Sequence, residues 1–150
     1  MTLRAPDPPL GDGVVSLRPL ALRDLSAVEQ ALGDPDITRW FDGRGLSARD
    51  VVERAVTRWD QSQAAEFAIA DAGECVGSIW LDLGPNDRAT VGYWLLPRAR
   101  GKGLVTRALR LVARWAFDDV GVKRIGLLAD PRNAASIGVA ERAEIGRAHV

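Results

Sequence analysis

The sequence predicts an α/β fold in which one mixed, mostly antiparallel sheet contains a single parallel β-α-β crossover and has helices on both faces. The chain has 150 residues, of which 47% are hydrophobic and 27% charged, and this composition is typical of one globular domain. From Glu66 onward the hydrophobic period changes from helical to alternating, which predicts consecutive strands. A strand, a helix and a strand then follow one another, which predicts the parallel crossover.

The N-terminal segment predicts one strand and one helix. We expect residues 1–13 to be a loose leader, because they contain three prolines and two glycines. Val14–Pro19 is predicted as a strand, and apolar residues at helical spacing predict a helix over Leu22–Leu32. Gly33-Asp34-Pro35 should end that helix.

A second helix and three strands are predicted in the middle of the chain. Ser47 lies three residues before Asp50, ahead of apolar residues at helical spacing, and this pattern has the form of a capping box. The helix should end at about Gln61. Short turns then separate three predicted strands, Glu66–Asp71, Glu74–Asp82 and Thr90–Leu96.

The parallel crossover is predicted around the third of these strands. Thr90–Leu96 is apolar on both faces, which is typical of a central strand. A helix is predicted over Lys102–Phe117, followed by another strand with two apolar faces over Arg124–Ala129. A last helix should begin near Asn133.

Composition excludes several classes of protein. No apolar run approaches the ~20 residues that a bilayer crossing needs, and no apolar block follows Arg4, so a signal peptide is not expected. We therefore expect a cytoplasmic protein with no membrane partner. With one cysteine, Cys75, and one histidine, His149, the chain has no Cys/His zinc set, so no metal is predicted.

Charge is distributed unevenly along the chain although the formal net charge is zero. Residues 1–75 contain 8 arginines and 13 acids, whereas residues 76–150 contain 10 arginines, 2 lysines and 7 acids. Six of these cations and no acid lie between Arg98 and Arg114. Such a stripe fits an anionic cofactor, a partner chain or a solvated helix face. Nucleic acid is not expected as a partner, because the stripe lacks interleaved aromatic residues and the N-terminal half is acidic.

Two glycines open the helix that follows the central strand, within the segment 97–106. Gly101 and Gly103 let the backbone approach a ligand closely, and the N–H groups of a first helical turn have no partners of their own, so the segment predicts an anion site. The chain contains no Walker motif, and the segment lacks the third glycine of a dinucleotide-binding fingerprint. A glycine-rich helix cap without a ligand is the alternative.

These residues resemble the GCN5-related N-acetyltransferase (GNAT) family, and in particular the branch that acetylates the N-termini of ribosomal proteins. The family's acetyl-CoA motif, R/Q-x-x-G-x-G/A, matches from Arg100, with Val105 in place of the final Gly or Ala. The later N-x-x-S motif matches at Asn133–Ser136. The resemblance extends from Val14 to Ala143. The segments that carry it are Leu17–Leu20, Val91–Pro97, Arg100–Leu109, Asn133–Ser136 and Val139–Arg142.

The resemblance implies that acetyl-CoA is the cofactor. Backbone N–H groups from Gly101 to Thr106 would hold the pyrophosphate, and Arg98, Arg100 and Lys102 would supply positive charge beside it. The residues implied in cofactor binding are Leu95, Leu96, Arg98, Arg100, Gly101, Lys102, Gly103, Leu104, Val105, Thr106, Asn133 and Ser136.

At the acyl end, the resemblance implies that the backbone amide of Leu95 or Leu96 polarises the thioester carbonyl. Asn133 would form a hydrogen bond with the pantetheine. Ser136 would lie near the departing thiolate as a possible acid. Both Asn133 and Ser136 are alternatively helix caps.

The catalytic base is the part of the site that the sequence identifies least. An amine nucleophile must lose a proton, since amino groups have pKa values of about 8 to 10.4. The family branch often has a glutamate directly before Val91, where this chain has Thr90, and other families have a tyrosine four residues after the motif serine, where it has Ala140. Glu66 and Asp82 remain as base candidates, and each is alternatively a solvated charge at a strand end.

The predicted function is transfer of an acetyl group from acetyl-CoA to a primary amine by direct attack in a ternary complex. The acceptor would be a protein N-terminus or a small-molecule amine, and the protein would be a monomer or a homodimer. A non-catalytic or truncation-inactivated acyl-CoA-binding module is the alternative, because the glutamate and the tyrosine are missing and the C-terminal end is shorter than the family's. Four aromatic residues are expected to line the acceptor channel, or alternatively to belong to the core: Trp40, Phe41, Trp80 and Tyr93.

The C-terminal residues 144–150 depart from the family's pattern, which continues through two more strands. The same seven residues are encoded by GAG-ATC-GGA-AGA-GCA-CAC-GTC, the start of a common sequencing adapter. We therefore expect a non-native tail on a single domain that is truncated at about Ala143. A natural, divergent C-terminus is the alternative. The strand Arg124–Ala129 would then be an apolar sheet edge.

Overall fold

The computed structural model describes residues 2–39 and 45–127 and the backbone of residues 146–147. Within these ranges it contains one sheet of seven strands that lie side by side in chain order, with helices on both faces, which confirms the predicted fold class. The strands are β1 Leu10–Gly11, β2 Val15–Pro19, β3 Ala64–Asp71, β4 Glu74–Leu83, β5 Arg88–Leu95, β6 Arg124–Leu127 and β7 Gly146–Arg147.

The three predicted helices that lie within the described residues begin and end close to their predicted positions, whereas the short helix over Pro35–Thr38 was not predicted. The helices are α1 Leu25–Leu32, α2 Pro35–Thr38, α3 Ala48–Asp60 and α4 Leu104–Trp115, with short 3-10 turns at Leu22–Asp24 and Pro97–Ala99 and a wider π turn at Ala116–Val120. The capping box at α3 is confirmed. Ser47 Oγ accepts the N–H of Asp50 at 3.1 Å, and Asp50 Oδ2 accepts the N–H of Ser47 at 3.1 Å.

The strand pairings confirm a central β5. Neighbouring strands from β1 to β5 are antiparallel, whereas β5 and β6 are parallel, with Val91 opposite Leu127. The connection between them contains α4, so this part of the chain is a β-α-β crossover. One irregularity lies in β4, where Gly77 pairs with Ile69 and Cys75 pairs with Ala70, which makes Val76 the extra residue of a bulge.

Two hydrophobic cores lie on opposite faces of the sheet. One core packs α4 against the sheet, with Leu109 and Val112 of the helix meeting Phe67 of β3. The other packs α1 and α3 against the opposite face, with Val28 and Val52 as fully buried members. None of the helices in the described ranges has the length and apolar character of a membrane span.

The prediction of a loose N-terminal leader is wrong. Leu10–Gly11 pairs with β2, and Leu3 is buried in the α4 core, where its N–H donates to Ser62 Oγ at 3.0 Å. Asp12 Oδ1 accepts the N–H groups of Val14 and Val15 at 2.9 Å each, which closes the β1–β2 turn. Prolines and glycines in this segment shape turns and do not prevent packing.

At the other end of the sheet, the expected apolar edge at β6 is not observed over its described residues. Gly146–Arg147 pairs with β6 in parallel, with Gly126 opposite Gly146 and Leu127 opposite Arg147. Ile125 and Leu127 are buried. The last two residues of the predicted strand and the helix expected near Asn133 lie outside the described residues.

Candidate active site

Two glycines with left-handed backbone conformation shape the segment between β5 and α4. Gly101 has φ 81° and Gly103 has φ 73°, a region that residues with a Cβ seldom adopt. A Cβ built on either glycine would meet no atom within 4 Å. The backbone at both positions is therefore open to a ligand, and glycine is required there by conformation and not by crowding within the protein.

The N-terminus of α4 presents unpaired backbone donors at this opening. Gly103 is the N-cap, and the first intrahelical bond runs from the N–H of Arg107 to the carbonyl oxygen of Gly103 at 3.2 Å. The N–H groups of Leu104, Val105 and Thr106 precede that bond, so they have no acceptor within the helix. Leu104 and Val105 bury their side chains in the α4 core, which fixes their N–H groups in place. Such a terminus favours an anion.

The cations of this segment differ in what they contact. Arg98 does not extend toward the α4 N–H groups as a free cation, because Nη1 donates to Gln30 Oε1 at 2.7 Å and Nη2 donates to Glu74 Oε1 at 2.8 Å. Arg100 Nε donates to the carbonyl oxygen of Leu95 at 3.3 Å. Lys102 is exposed and forms no ion pair with an acid of the described ranges. Of the three predicted phosphate cations, Lys102 is the one that forms neither an ion pair nor a side-chain hydrogen bond within those ranges.

Leu95, the last residue of β5, and Leu96, which follows it, differ in what their backbone groups contact. The N–H of Leu96 donates to the carbonyl oxygen of Val76 at 2.9 Å, so it is used within the sheet. In an antiparallel ladder, successive residues alternate the side to which their N–H and C=O groups point. The N–H and C=O of Leu95 therefore face away from β4, toward the side of the sheet where β6 lies. Between the two predicted donors to the thioester, the geometry favours Leu95.

Glu66 is a half-buried carboxyl on β3 and not a solvated strand end. Its Oε2 accepts a hydrogen bond from Ser78 Oγ at 3.1 Å, and Ser78, which is fully buried, also lies 2.9 Å from the carbonyl oxygen of Phe67. Burial raises the pKa of Glu66 to about 7. The hydrogen bond from Ser78 and the charges of Arg54 and Arg58 oppose this increase. Glu66 thus changes its charge near neutral pH.

Asp82, the second base candidate, is paired with a cation. It forms an ion pair with Arg58 of α3 and lies opposite Thr90 of β5. Cross-strand partners share a face of the sheet, as do residues two apart along a strand. Since Glu66 lies opposite Trp80, both carboxyls lie on the face covered by α1 and α3.

The structure does not place Trp80 and Tyr93 in one channel. Trp80 packs against the core under α1 and α3, and its indole lies so close to Gly92 that a Cβ there would be 2.5 Å from the ring. Tyr93 packs against the α4 core on the opposite face. The other predicted channel and pantetheine residues lie outside the described residues: Trp40, Phe41, Asn133 and Ser136.

Sequence reasoning missed the role of Ser78 and the protein partners of Arg98 and Arg100. The sequence offered one indication for Arg98, because the acidic N-terminal half and the cationic stripe of residues 98–114 carry opposite charges. In the structure, Arg98 contacts Glu74, an acid of the N-terminal half, and the neutral side chain of Gln30. Among the described residues, no group of three or more His, Cys, Asp and Glu side chains is arranged to hold a metal ion.

Comparison with known proteins agrees with this geometry. The family model described as "Acetyltransferase (GNAT) domain" matches residues 15–145. Among curated relatives, Probable N-acetyltransferase YjcK of Bacillus subtilis is 40% identical over 91 residues, which cover 57% of this chain and 50% of YjcK. Spermidine N(1)-acetyltransferase of Escherichia coli K12 is 28% identical over 131 residues, which cover 83% of this chain and 69% of that protein.

The matched segment is a limited part of several relatives. The chain spans about a third of YdaF and half of YjcK, both from Bacillus subtilis.

Solved structures share the fold over most of the chain. An acetyltransferase from Agrobacterium tumefaciens has a TM-score of 0.77 at 25% identity and covers 95% of this chain and 86% of its own. RimJ from Mycobacterium smegmatis, solved in complex with CoA-disulfide, has a TM-score of 0.75 at 24% identity and covers 94% of this chain and 72% of its own. With the family model matching nearly the whole sequence, the chain belongs to the GNAT acetyltransferase family.

Proposed function

We propose that this chain is an N-acetyltransferase that moves an acetyl group from acetyl-CoA to a primary amine. The observation that carries the proposal is the open N-terminus of α4. Three first-turn N–H groups without intrahelical acceptors lie behind two left-handed glycines, a few residues after Leu95, whose N–H and C=O face away from β4. Membership of the GNAT family and relatives named as N-acetyltransferases support the same activity.

The residues present fit the phosphate end of acetyl-CoA. The N–H groups of Leu104, Val105 and Thr106 would hold the pyrophosphate, since they point out of the helix end and carry its partial positive charge. The absence of side chains at Gly101 and Gly103 leaves room for close approach. Lys102 would add a full positive charge beside the phosphates.

At the acyl end, bound acetyl-CoA supplies an acetyl thioester, which is the activated donor of the reaction. The N–H of Leu95 would donate to the carbonyl oxygen and stabilise the negative charge that develops there. As the amine nitrogen forms its bond to the acyl carbon, the C–S bond breaks and sulfur keeps the electron pair. The neutral amine nitrogen loses one proton as the amide forms, the sulfur takes up one proton, and the products are the amide and free CoA.

Glu66 is the better base candidate of the two carboxyls. A general base works best when its pKa is near the operating pH, and the pKa of Glu66 is raised to about 7. Asp82 forms an ion pair with Arg58, so its carboxylate already contacts a guanidinium of the protein. Ser136 as a possible acid and Asn133 as a pantetheine ligand remain predictions.

The acceptor class is also a proposal. One relative is named for spermidine, and YdaF is named as a ribosomal N-acetyltransferase, so both small amines and protein N-termini occur as acceptor classes among relatives. The cytoplasmic location and the monomeric or homodimeric state stay predictions from the sequence.

The anion site is tested by comparing Gly103→Ala with Gly121→Ala. Gly121 has φ 93° and, like Gly103, would place an added Cβ more than 4 Å from any neighbour, so both changes introduce the same backbone strain of about 1 kcal/mol. Gly121 follows the π turn after α4, away from the N-terminus of the helix. We expect similar losses of melting temperature in the two variants. Calorimetry should show CoA affinity at least about tenfold lower for Gly103→Ala only, because a methyl group would occupy the approach path of the pyrophosphate.

The outcomes separate the competing functions. Equal CoA binding by the two variants would move the binding site elsewhere. CoA binding that depends on Gly103, without thiol release from acetyl-CoA in the presence of any of a panel of primary amines and N-terminal peptides, would indicate an acyl-CoA-binding module and contradict the enzyme proposal.

A further inference from the structure

Arg100 contacts the end of β5 in this structure. Its Nε donates to the carbonyl oxygen of Leu95 at 3.3 Å, which ties the loop that follows β5 back to the last residue of the strand. The side chain is otherwise exposed, so the terminal nitrogens of its guanidinium remain accessible. Five donors in a fixed planar fork allow an arginine to hold one acceptor and still present donors to another.

The contact fixes one peptide group at both of its ends. The peptide between Leu95 and Leu96 has its N–H on the carbonyl oxygen of Val76 at 2.9 Å and its C=O on Arg100. Since the N–H and C=O of a strand residue point to the same side, the guanidinium lies beside the N–H of Leu95. Within the described ranges, no residue accepts a hydrogen bond from that N–H.

The neighbouring cations are committed differently. Arg98 is held by Gln30 and Glu74 on the surface, and Lys102 forms no ion pair within the described ranges. The three cations of segment 97–106 therefore lie in different surroundings. Lys102 is close in sequence to the N–H groups of the α4 terminus, whereas the charge of Arg100 is anchored at the end of β5.

We infer that Arg100 is a positioning residue for the acyl group, and that it acts by fixing the Leu95 edge of β5 and by placing positive charge next to the Leu95 N–H. This inference rests on the proposed transferase function. It assigns Arg100 to the reacting end of the site, whereas the family resemblance implied a role beside the phosphates. Loss of the guanidinium should lower the rate of transfer more than the affinity for CoA, because the affected contact matters as charge develops on the carbonyl oxygen.

The test compares Arg100→Leu, Arg100→Gln and Lys102→Ala. Leucine removes the donor, glutamine retains one N–H donor of suitable length, and the lysine change removes a charge from the phosphate end. We expect Arg100→Leu to lower kcat at least about tenfold and to change the Kd for CoA by less than about threefold, with partial recovery of kcat in Arg100→Gln. Lys102→Ala should show the reverse pattern, with a larger relative loss of CoA affinity than of kcat.

A second measurement does not depend on turnover. In ¹⁵N-labelled protein, the amide proton of Leu95 should shift further downfield with acetyl-CoA than with CoA, since only acetyl-CoA has a thioester carbonyl to accept from it. Arg100→Leu should reduce this difference, because the edge of β5 is no longer held.

Two results would overturn the inference. Arg100→Leu could weaken CoA binding as strongly as Lys102→Ala does, which would make Arg100 a phosphate ligand. Alternatively, the Leu95 amide shift and the kcat of Arg100→Leu could both equal the wild-type values. A failure of the proposed function looks different, since the unmodified chain would then give no acetyl-CoA-specific shift at Leu95 and no transfer.

Discussion

At the scale of single residues, the Glu66–Ser78 pair shows how a half-buried carboxyl can be hydrogen-bonded in both of its charge states. A serine hydroxyl has one proton, yet Ser78 Oγ lies within hydrogen-bond distance of both Glu66 Oε2 and the carbonyl oxygen of Phe67. When Glu66 is ionised, Ser78 donates to it. When Glu66 is protonated, its O–H donates to Ser78, and Ser78 donates to Phe67. Both charge states are therefore satisfied, and the protonated state leaves no acceptor unpaired.

This pair predicts a pH-dependent stability. The pKa of Glu66 is about 7 in the folded chain and 4.5 ordinarily, so its contribution to the free energy of unfolding is full below pH 4.5 and is lost as the pH rises through 7. Urea unfolding at intervals from pH 5 to pH 8 should show that the wild-type chain loses on the order of 2 kcal/mol relative to Glu66→Gln. If the free energies of unfolding of the two proteins changed with pH in parallel, the raised pKa of Glu66 would be contradicted.

At the scale of secondary-structure elements, the ion pair between Arg18 and Asp24 joins β2 to the start of α1. Arg18 Nη1 and Nη2 donate to the two carboxylate oxygens of Asp24 at 2.8 Å each, and Asp24 Oδ2 also accepts the N–H of Ala21 at 3.0 Å. Burial alone raises the pKa of Asp24, but the hydrogen bonds from Arg18 and Ala21 outweigh it and hold the pKa below its ordinary value. The ion pair fixes the angle at which the chain leaves the sheet.

Asp24→Asn should therefore destabilise the fold by about 2–4 kcal/mol, because it leaves the mostly buried guanidinium of Arg18 without its counter-charge. Glu53→Gln is the matched control, since Glu53 pairs with Arg49 on the exposed side of α3 and should change stability by less than about 0.5 kcal/mol. Denaturant unfolding at pH 7 compares them. In the wild type, the Asp24 contribution should disappear below pH 3.8 as the carboxyl protonates. Equal effects of the two changes would mean that the pair is not a structural tie.

The bulge in β4 is a feature that the alternation of apolar residues did not reveal. The turn at Ala72 and Gly73 sets Asp71 opposite Glu74, and continuing that register would place Ser78 on the opposite face from Glu66. The extra residue Val76 shifts the register by one, and one residue of shift moves every later side chain to the other face. The Glu66–Ser78 pair exists for this reason, and alternation alone could not have shown it.

Gly77, directly after the bulge, should be intolerant of substitution. A Cβ there would lie 2.5 Å from the carbonyl oxygen of Trp94 and 2.9 Å from Leu95 Cδ1, so Gly77→Ala must push β4 away from β5 beside Leu95. We expect a loss of at least about 2 kcal/mol in denaturant unfolding and a changed Leu95 amide signal. Gly73→Ala is the control, because its φ of 81° costs about 1 kcal/mol but its Cβ meets no neighbour. A Gly77→Ala chain as stable as the control would show that the strands have room to separate.

At the scale of the whole molecule, the uneven charge along the chain becomes a set of contacts between its halves. Asp12 pairs with Arg107 at 3.0 Å and Glu74 with Arg98 at 2.8 Å, so acids of the N-terminal half meet cations of the C-terminal stripe. The asymmetry therefore contributes to how the fold closes. Each exposed pair is weak alone, yet both lie near the segment that opens α4.

Prediction from the sequence worked where local chemistry decides the outcome. The capping box at Ser47, the two-sided apolar strand β5 and the glycines at 101 and 103 each carry their own signal, and all were placed correctly. The packing of Leu3, the bulge at Val76 and the partners of Arg98 depend on residues distant in sequence. Their positions follow from the assembled sheet and from no local pattern.

The proposed anion site at the start of α4 has a consequence for how this chain can change over evolutionary time. Every residue type except proline carries the same backbone N–H, so a site built from main-chain donors does not record its ligand in the identity of the residues that bind it. Val105, where the family has Gly or Ala, is such a case: its side chain faces the core, while its N–H is the same group that a smaller residue would present. Drift at positions 104–106 is limited by packing beneath the helix, and the ligand constrains chiefly the two left-handed glycines. In the proposed site, the inheritance of cofactor binding would thus depend on backbone shape more than on side-chain chemistry.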